Sequence, residues 1–170
     1  GHAIVSEPLW REQSFGVLEG LDAPTIIEQH PSLWASWLRH DADYALPGGE
    51  SVRMFHTRVL SALQRLVQQH SGARVAVFTH GGVLDMLWRA VHHAPLHGPR
   101  ECDIPNTGIN RMRWRDGKLE ILEWADAAHL EGLPEPHILF DRQYRILAAN
   151  AAYRRQFSPQ AAVVGRTCYE

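Results

Sequence analysis

The sequence predicts an α/β fold, in which a strand buried in a parallel sheet is flanked by amphipathic helices. Three stretches carry that expectation. Val75-Ala76-Val77-Phe78 is a continuous apolar run, the pattern of a parallel strand covered on both faces. Thr79-His80-Gly81-Gly82 follows at once and leads into a helical pattern from Val83 to His93. Upstream, Val52, Phe55, Val59, Leu63, Leu66 and Val67 keep one face of a long helix apolar, and Ser51 stands where an N-cap hydroxyl belongs.

The remaining elements follow in chain order. Ala23 to His40 reads as helix interrupted at Pro31, with Leu33, Trp34, Trp37 and Leu38 as an apolar stripe. Such a stripe is expected to pack into the core. Glu19 is expected to open this helix after Gly20 rather than to do chemistry. Pro47-Gly48-Gly49 marks a loop, and Arg53, Arg58 and Arg65 on the outer faces of the long helix read as solvated charge. A loop rich in Pro and Gly runs from Ala94 to Arg100. Ile109 to Trp114 and Lys118 to Trp124 alternate about Asp116-Gly117, a strong hairpin signal, expected at the edge of the sheet.

The strand, His-Gly-Gly turn and helix place one imidazole, His80, at the mouth of a sheet. Glycines let the backbone turn sharply and approach a ligand closely, and the first amides of the following helix are unpaired donors at the positive end of its dipole. An anion, phosphate above all, is the expected ligand beside His80. A lone histidine there would equally serve as a cap of the strand, so the weight falls on two upstream motifs. These are Leu9-Trp10-Arg11-Glu12-Gln13-Ser14-Phe15-Gly16-Val17-Leu18-Glu19-Gly20 and Leu46-Pro47-Gly48-Gly49-Glu50-Ser51.

In order and spacing, the three motifs resemble the histidine phosphatase superfamily, the phosphoglycerate mutase-like fold. The resemblance covers about residues 1–131, closing with Ile104-Pro105-Asn106-Thr107-Gly108-Ile109-Asn110 and Trp124-Ala125-Asp126-Ala127-Ala128-His129-Leu130. It implies a three-layer α/β/α sheet, incomplete in this chain. It implies Glu12 as proton donor to the leaving group, His80 as the histidine against the transferred phosphoryl group, and Gly81 as an amide donor to the same oxygens. Glu12 must carry a proton for that role, and an apolar wall from Phe15 and Leu18 would let it keep one; Phe15 is taken as a substrate-binding residue. The family also sets a lid near Trp34 and Trp37, which would shape the substrate pocket in place of core packing.

The family's covalent nucleophile, a histidine in Arg-His-Gly, and its second arginine have no counterpart here. His2, in Gly1-His2-Ala3, reads as a chance histidine. A phosphohistidine mechanism needs an in-line imidazole and positive charge on the equatorial oxygens. The chain is therefore expected to be N-terminally truncated and inactive alone, with phosphoryl transfer or phosphomonoester hydrolysis belonging to the complete protein.

Gly132-Leu133-Pro134-Glu135-Pro136 reads as a linker. Beyond it, His137-Ile138-Leu139-Phe140-Asp141, Arg145-Ile146-Leu147-Ala148-Ala149-Asn150, a helix over Ala151 to Phe157 and Val163-Val164-Gly165-Arg166 resemble the opening of a PAS sensory domain, an α+β fragment over residues 137–170. A C-terminal extension packed on the first domain is the alternative.

Composition narrows the function classes. The chain has 170 residues, 45% of them hydrophobic and 21% charged, enough for a packed core. A formal charge of −2 gives no basic field, so nothing argues for nucleic acid as partner. Cys102 and Cys168 flank no metal-ligand spacing and are expected to be structural thiols in a reducing cytoplasm. No run approaches a membrane span, and the first residues lack the pattern of a signal peptide. Among the 11 histidines, His92, His93 and His97 could converge on a metal, but no carboxylate or cysteine stands at matching spacing. No metal and no cofactor are expected, and the partner is a phosphorylated small molecule. Two other classes stay open: a regulatory protein joining a phosphatase-like module to a PAS-like sensor, and a non-catalytic phosphate-binding module on His80 and Gly81.

Overall fold

The computed structural model describes residues 4–140, 143–157 and 163–167. The chain divides into two compact units, Gly1–Ile104 with Arg113–Ile121, and Pro105–Met112 with Leu122–Glu170. His2, Asp141 and Cys168 lie outside the described residues.

In the first unit, two short helices, α1 (Ala23–Gln29) and α2 (Pro31–Trp37), precede a long α3 (Val52–Gln69) and α4 (Gly81–His92). Pro31 at the first position of α2 separates it from α1, because proline has no amide to continue a helix but suits its first turn. Asp22, not Glu19, opens α1: its carboxylate accepts the Thr25 N–H at 3.0 Å. Glu19 instead accepts Ser14 Oγ at 2.8 Å and Phe15 N–H at 3.0 Å, pinning its own loop. Ser51 caps α3 as expected, accepting Met54 N–H at 3.2 Å.

Helices α3 and α4 pack on each other. Phe55, Val59, Ala62 and Leu63 are buried on α3, and Val83, Met86 and Leu87 on α4. Each large side chain removed from water this way contributes roughly 1.5–3 kcal/mol. A second cluster of Leu18, Ile26 and Leu46 is covered by Phe15, Leu33, Trp34, Trp37 and Tyr44. Leu33, Trp34 and Trp37 of the predicted stripe therefore pack against a core, whereas Leu38, past the end of α2, is 48% exposed.

Two further sequence expectations fail in this unit. Residues 74–78 form no strand; Val75 is 45%, Val77 40% and Phe78 97% exposed. A strand exists only through its ladder, and no described segment pairs with this run. Arg58 is not solvated either, with 9% of its side chain exposed. Its place on α3 points it at the backbone carbonyls of Leu9, Arg11 and Glu12.

The hairpin forms as expected, β1 (Ile109–Arg115) to β2 (Lys118–Asp126), with Asp116 and Gly117 both at positive φ, as the tight turn requires. Among the described residues it makes a two-stranded sheet of its own and is not the edge of a larger one. A short α5 (Ala128–Glu131) follows.

In the second unit β3 (Ile138–Phe140) pairs antiparallel with β4 (Ile146–Ala149), and α6 (Ala151–Phe157) follows at once. Residues 163–167 return to β4: Ile146 N–H donates to Arg166 O at 2.7 Å and Gly165 N–H to Ile146 O at 2.8 Å. Ile146, Ala149 and Val163 form its core with Ile138 and Tyr153. Asn150, only 3% exposed, accepts N–H from His137 and Tyr153, both at 2.9 Å, and donates to Leu133 O at 3.2 Å and Glu135 O at 2.9 Å. One side chain thus caps α6 and fastens the strand entry.

Candidate active site

The three motifs meet at the N-terminus of α4. Glu12 Oε2 accepts Gly82 N–H at 3.0 Å, across 70 residues, while its Oε1 accepts Gln13 N–H at 2.8 Å. The approach is possible only because residue 82 has no side chain: a Cβ there would collide with Glu12 Oε1. Thr79 Oγ1 donates to Trp10 O at 2.7 Å, fastening the turn before α4 to the segment that carries Glu12. His80 is the residue preceding α4, exposed, with no side-chain bond to the helix amides. Gly81 is the first residue of the helix. Glu12, His80 and Gly81 therefore gather within one helix terminus.

Arg58 organises this assembly and was missed by the reading of its helix face as solvated. Its guanidinium donates to Leu9 O at 2.7 Å, Arg11 O at 3.0 Å and Glu12 O at 3.1 Å. It also forks onto Glu50, at 2.8 Å to Oε1 and 2.7 Å to Oε2, the bidentate geometry that makes arginine–carboxylate pairs strong. Glu50 in turn accepts Ser14 N–H at 3.2 Å. The hydrogen bond from Arg58, helped by the Ser14 amide, holds the Glu50 carboxyl below the usual carboxylate value, against its burial. The sequence signal was available: Glu50 and Arg58 are eight apart, and Glu50 lies inside the Pro-Gly-Gly motif.

Beside Glu12 lies a cavity of about 400 Å³, lined by Glu12, Phe15, Trp37, Tyr44, Gly82 and Arg100 among others. Phe15 meets Trp37 edge to face, centroids 6.4 Å apart, and Trp37 stacks on Trp34 at 5.1 Å. Trp37 thus both packs into the core and faces the cavity, whereas Trp34 backs it from behind. His80 and Gly81 do not line the cavity, whereas Glu12 and Gly82 do.

The far side of the cavity rests on a buried ion pair. Arg89, 3% exposed, pairs with Asp85 at 3.1 Å one helical turn earlier. Its remaining donors go to the carbonyls of Pro95, His97 at 3.5 Å, Gly98 at 3.5 Å and Pro99 at 2.7 Å. A charged i,i+4 pair inside an apolar helix was the sequence signal, and it was not read. Cys102 is a free thiol against Asp85, its Sγ 3.8 Å from Oδ1; burial first, then the Asp85 charge, push it up to about 11. His92 stacks on Trp88 with centroids 4.2 Å apart, and His93 takes the left-handed conformation that ends α4. Among the described residues no group of three or more His, Cys, Asp or Glu is set to hold a metal ion. No helix among them is long and apolar enough to cross a membrane.

Residues 1–127, which carry this helix-terminus site, match the family model of the histidine phosphatase superfamily (branch 1). The chain belongs to that superfamily. It is similar to a metal-independent phosphoserine phosphatase of Arabidopsis thaliana, 30% identical over 131 residues, covering 76% of this chain and 53% of the relative. Phosphoglycerate mutase-like protein 4 of the same plant is 34% identical over 124 residues, covering 71% of this chain and 52% of its own length. The chain thus spans about half the length of these curated relatives. Among solved structures, YhfR of Bacillus stearothermophilus superposes with a TM-score of 0.63 at 26% identity, covering 72% of this chain and 61% of that one.

Proposed function

We propose that this chain carries the acid and the second histidine of a phosphomonoester site that works through a phosphohistidine, within the three-layer fold of the family. The observation that carries the reading is the Glu12 carboxylate held 3.0 Å from the Gly82 amide, which brings two motifs to one helix terminus. His80 and the amide of Gly81 face the phosphoryl oxygens, where charge spreads during transfer. Phe15 walls the alcohol half of the substrate, a phosphorylated small molecule.

Chemically, an imidazole attacks phosphorus, the bond from phosphorus to the alcohol oxygen breaks, and Glu12 gives that oxygen its proton. Water then attacks phosphorus, the phosphorus–nitrogen bond breaks to free the imidazole and release phosphate, and Glu12 takes up a proton from the water. The attacking imidazole and its arginines are not among these 170 residues, since no Arg-His-Gly occurs in the sequence. Turnover therefore belongs to a polypeptide in which such a segment joins residues 1–131, and this chain by itself is inactive.

The test is hydrolysis of an aryl phosphate by this chain and by the gene's product extended upstream to an Arg-His-Gly. Activity confined to the extended form, and abolished in its His80→Ala variant, is the expected result. Turnover by the short chain would refute the division of labour. Silence of both forms would leave a phosphate-binding module without chemistry.

A second reading concerns residues 137–170, read as the start of a PAS-like sensor after a linker at 132–136. The buried Asn150, capping α6 while bonded to both 133 and 135, supports a unit with its own core. On this reading the phosphatase-like module reports to, or is governed by, a sensory domain. Fusion of residues 132–170 to the gene's downstream sequence, followed by a screen for cooperative unfolding, tests it.

A further inference from the structure

We propose that Arg58 is a positioning residue for the proton transfer: it acts through Glu12, setting where that carboxyl meets the leaving oxygen, without touching the substrate. The inference rests on the phosphomonoester reading above and adds the group on which the reach of the acid depends. Arg58 does not line the cavity beside Glu12. With 9% of its side chain exposed, whatever it contributes passes through the residues it holds.

Those residues bracket the acid. On one side, the guanidinium donates to the carbonyls of Leu9 at 2.7 Å, Arg11 at 3.0 Å and Glu12 itself at 3.1 Å. On the other, its partner Glu50 accepts Ser14 N–H at 3.2 Å through Oε2, and the Glu50 carbonyl accepts the Gln13 side-chain amide at 2.9 Å. Residues 12–15 form no helix or strand, so these bonds fix backbone that no regular element fixes.

The same face of α3 also sets what holds the carboxyl. Phe55, three residues before Arg58 and so on its side of the helix, has its ring centroid 4.9 Å from the guanidinium carbon. Its Cε1 stands 3.1 Å from where a Cβ of Gly82 would lie. Gly82 N–H holds Glu12 Oε2 at 3.0 Å, and Gln13 N–H holds Oε1 at 2.8 Å. One turn of α3 therefore supports both the backbone that carries the acid and the helix terminus that orients it. A general acid must lie within hydrogen-bond reach of the oxygen it protonates, and a misplacement of about 1 Å from a remote change can cost roughly 100-fold in rate.

The leaving group separates positioning from scaffolding. As the bond from phosphorus to the alcohol oxygen breaks, its electron pair stays on that oxygen, which takes the Glu12 proton; an oxygen that is stable as an anion does not need it. The upstream-extended form is assayed on phenethyl phosphate, whose alkoxide needs the proton, and on dinitrophenyl phosphate, whose phenolate departs without it. Arg58→Gln is expected to lower kcat/KM about 100-fold on the first and less than about threefold on the second, the inequality that Glu12→Gln also shows. Arg58→Lys, which keeps the charge but not the planar fork, recovers part of the loss. Glu50→Gln shows the same inequality to a lesser degree, and these two variants decide the matter if Arg58→Gln fails to fold. Arg53→Gln, which breaks an exposed pair on the same helix, moves neither ester. Equal losses on the two esters in the Arg58 and Glu50 variants overturn the proposal while Glu12 stands as the acid, and so does no loss at all. The inequality appearing in Arg53→Gln overturns it too. If Glu12→Gln shows no inequality, or the extended form turns over neither ester, the phosphomonoester reading falls and this inference with it.

Discussion

Two neighbouring pieces of this chain are about equally apolar and end up in opposite conditions. Helix α4 buries Val83, Met86 and Leu87, with Val83 fully inaccessible, whereas the run before it leaves Phe78 97% exposed. The difference lies in where each obtains its hydrogen bonds. A helix satisfies its own amides and needs only one partner face, which α3 supplies. A strand must borrow every bond from a neighbour, so apolar composition alone does not make one.

The largest effect should come from the group that holds the helix terminus together. Arg58→Met leaves three carbonyls without their donor and Glu50 with only Ser14 N–H and Arg11, and is expected to cost about 3–5 kcal/mol in denaturant titration, the range for breaking a buried pair. Met86→Ala, inside the α3–α4 contact, is expected to cost about 2–5 kcal/mol. A smaller loss there would mean that α4 is held no better than the run before it.

Cys102 reports on the same helix. A thiol at about 11 against an ordinary 9.0 carries roughly 100-fold less thiolate at neutral pH. Peptide-resolved alkylation should therefore be slow at Cys102 in the native chain and rise sharply in Asp85→Asn. Rapid labelling of the native chain would place Cys102 away from α4.

Acid titration sharpens the comparison further. The folded Glu50 carboxyl lies below its ordinary 4.5, so its contribution is fully present above that value and is lost as pH falls through the lower folded one. Glu50→Gln should flatten stability across that acid window and leave its slope at neutral pH unchanged. At the small end, Phe78→Ser should alter the unfolding free energy by less than about 0.5 kcal/mol, as at any exposed site. It should raise solubility. A large loss would show that the run is packed in solution.

What was legible follows the same line. The helices, the proline break before α2, the Ser51 cap and the Asp116-Gly117 hairpin are local matters of period and turn chemistry, and the sequence carries them. The superfamily was legible because Glu12, Glu50 and His80 sit in short motifs of fixed order. Arg58 and Arg89 were legible only in part: each has a carboxylate partner close in sequence, but the carbonyls that complete their burial come from 46 or more residues away in one case and from an irregular loop in the other. The strand was misread for the converse reason: its pattern was clear and its neighbour was not in view.

The anchoring of Glu12 by α3 has a consequence in time as well as in space. The segment from Leu9 to Glu12 has little regular structure beyond one turn at Pro8–Trp10, and its carbonyls at residues 9, 11 and 12 are tied by a guanidinium up to 49 residues further on. During synthesis the motif leaves the ribosome well before the residue that shapes it. At ~5–20 residues per second, that interval is roughly 2–10 s. For that period Glu12 stands on an unformed loop. The site is thus assembled backwards: its earliest residue takes its place only when a later helix has closed.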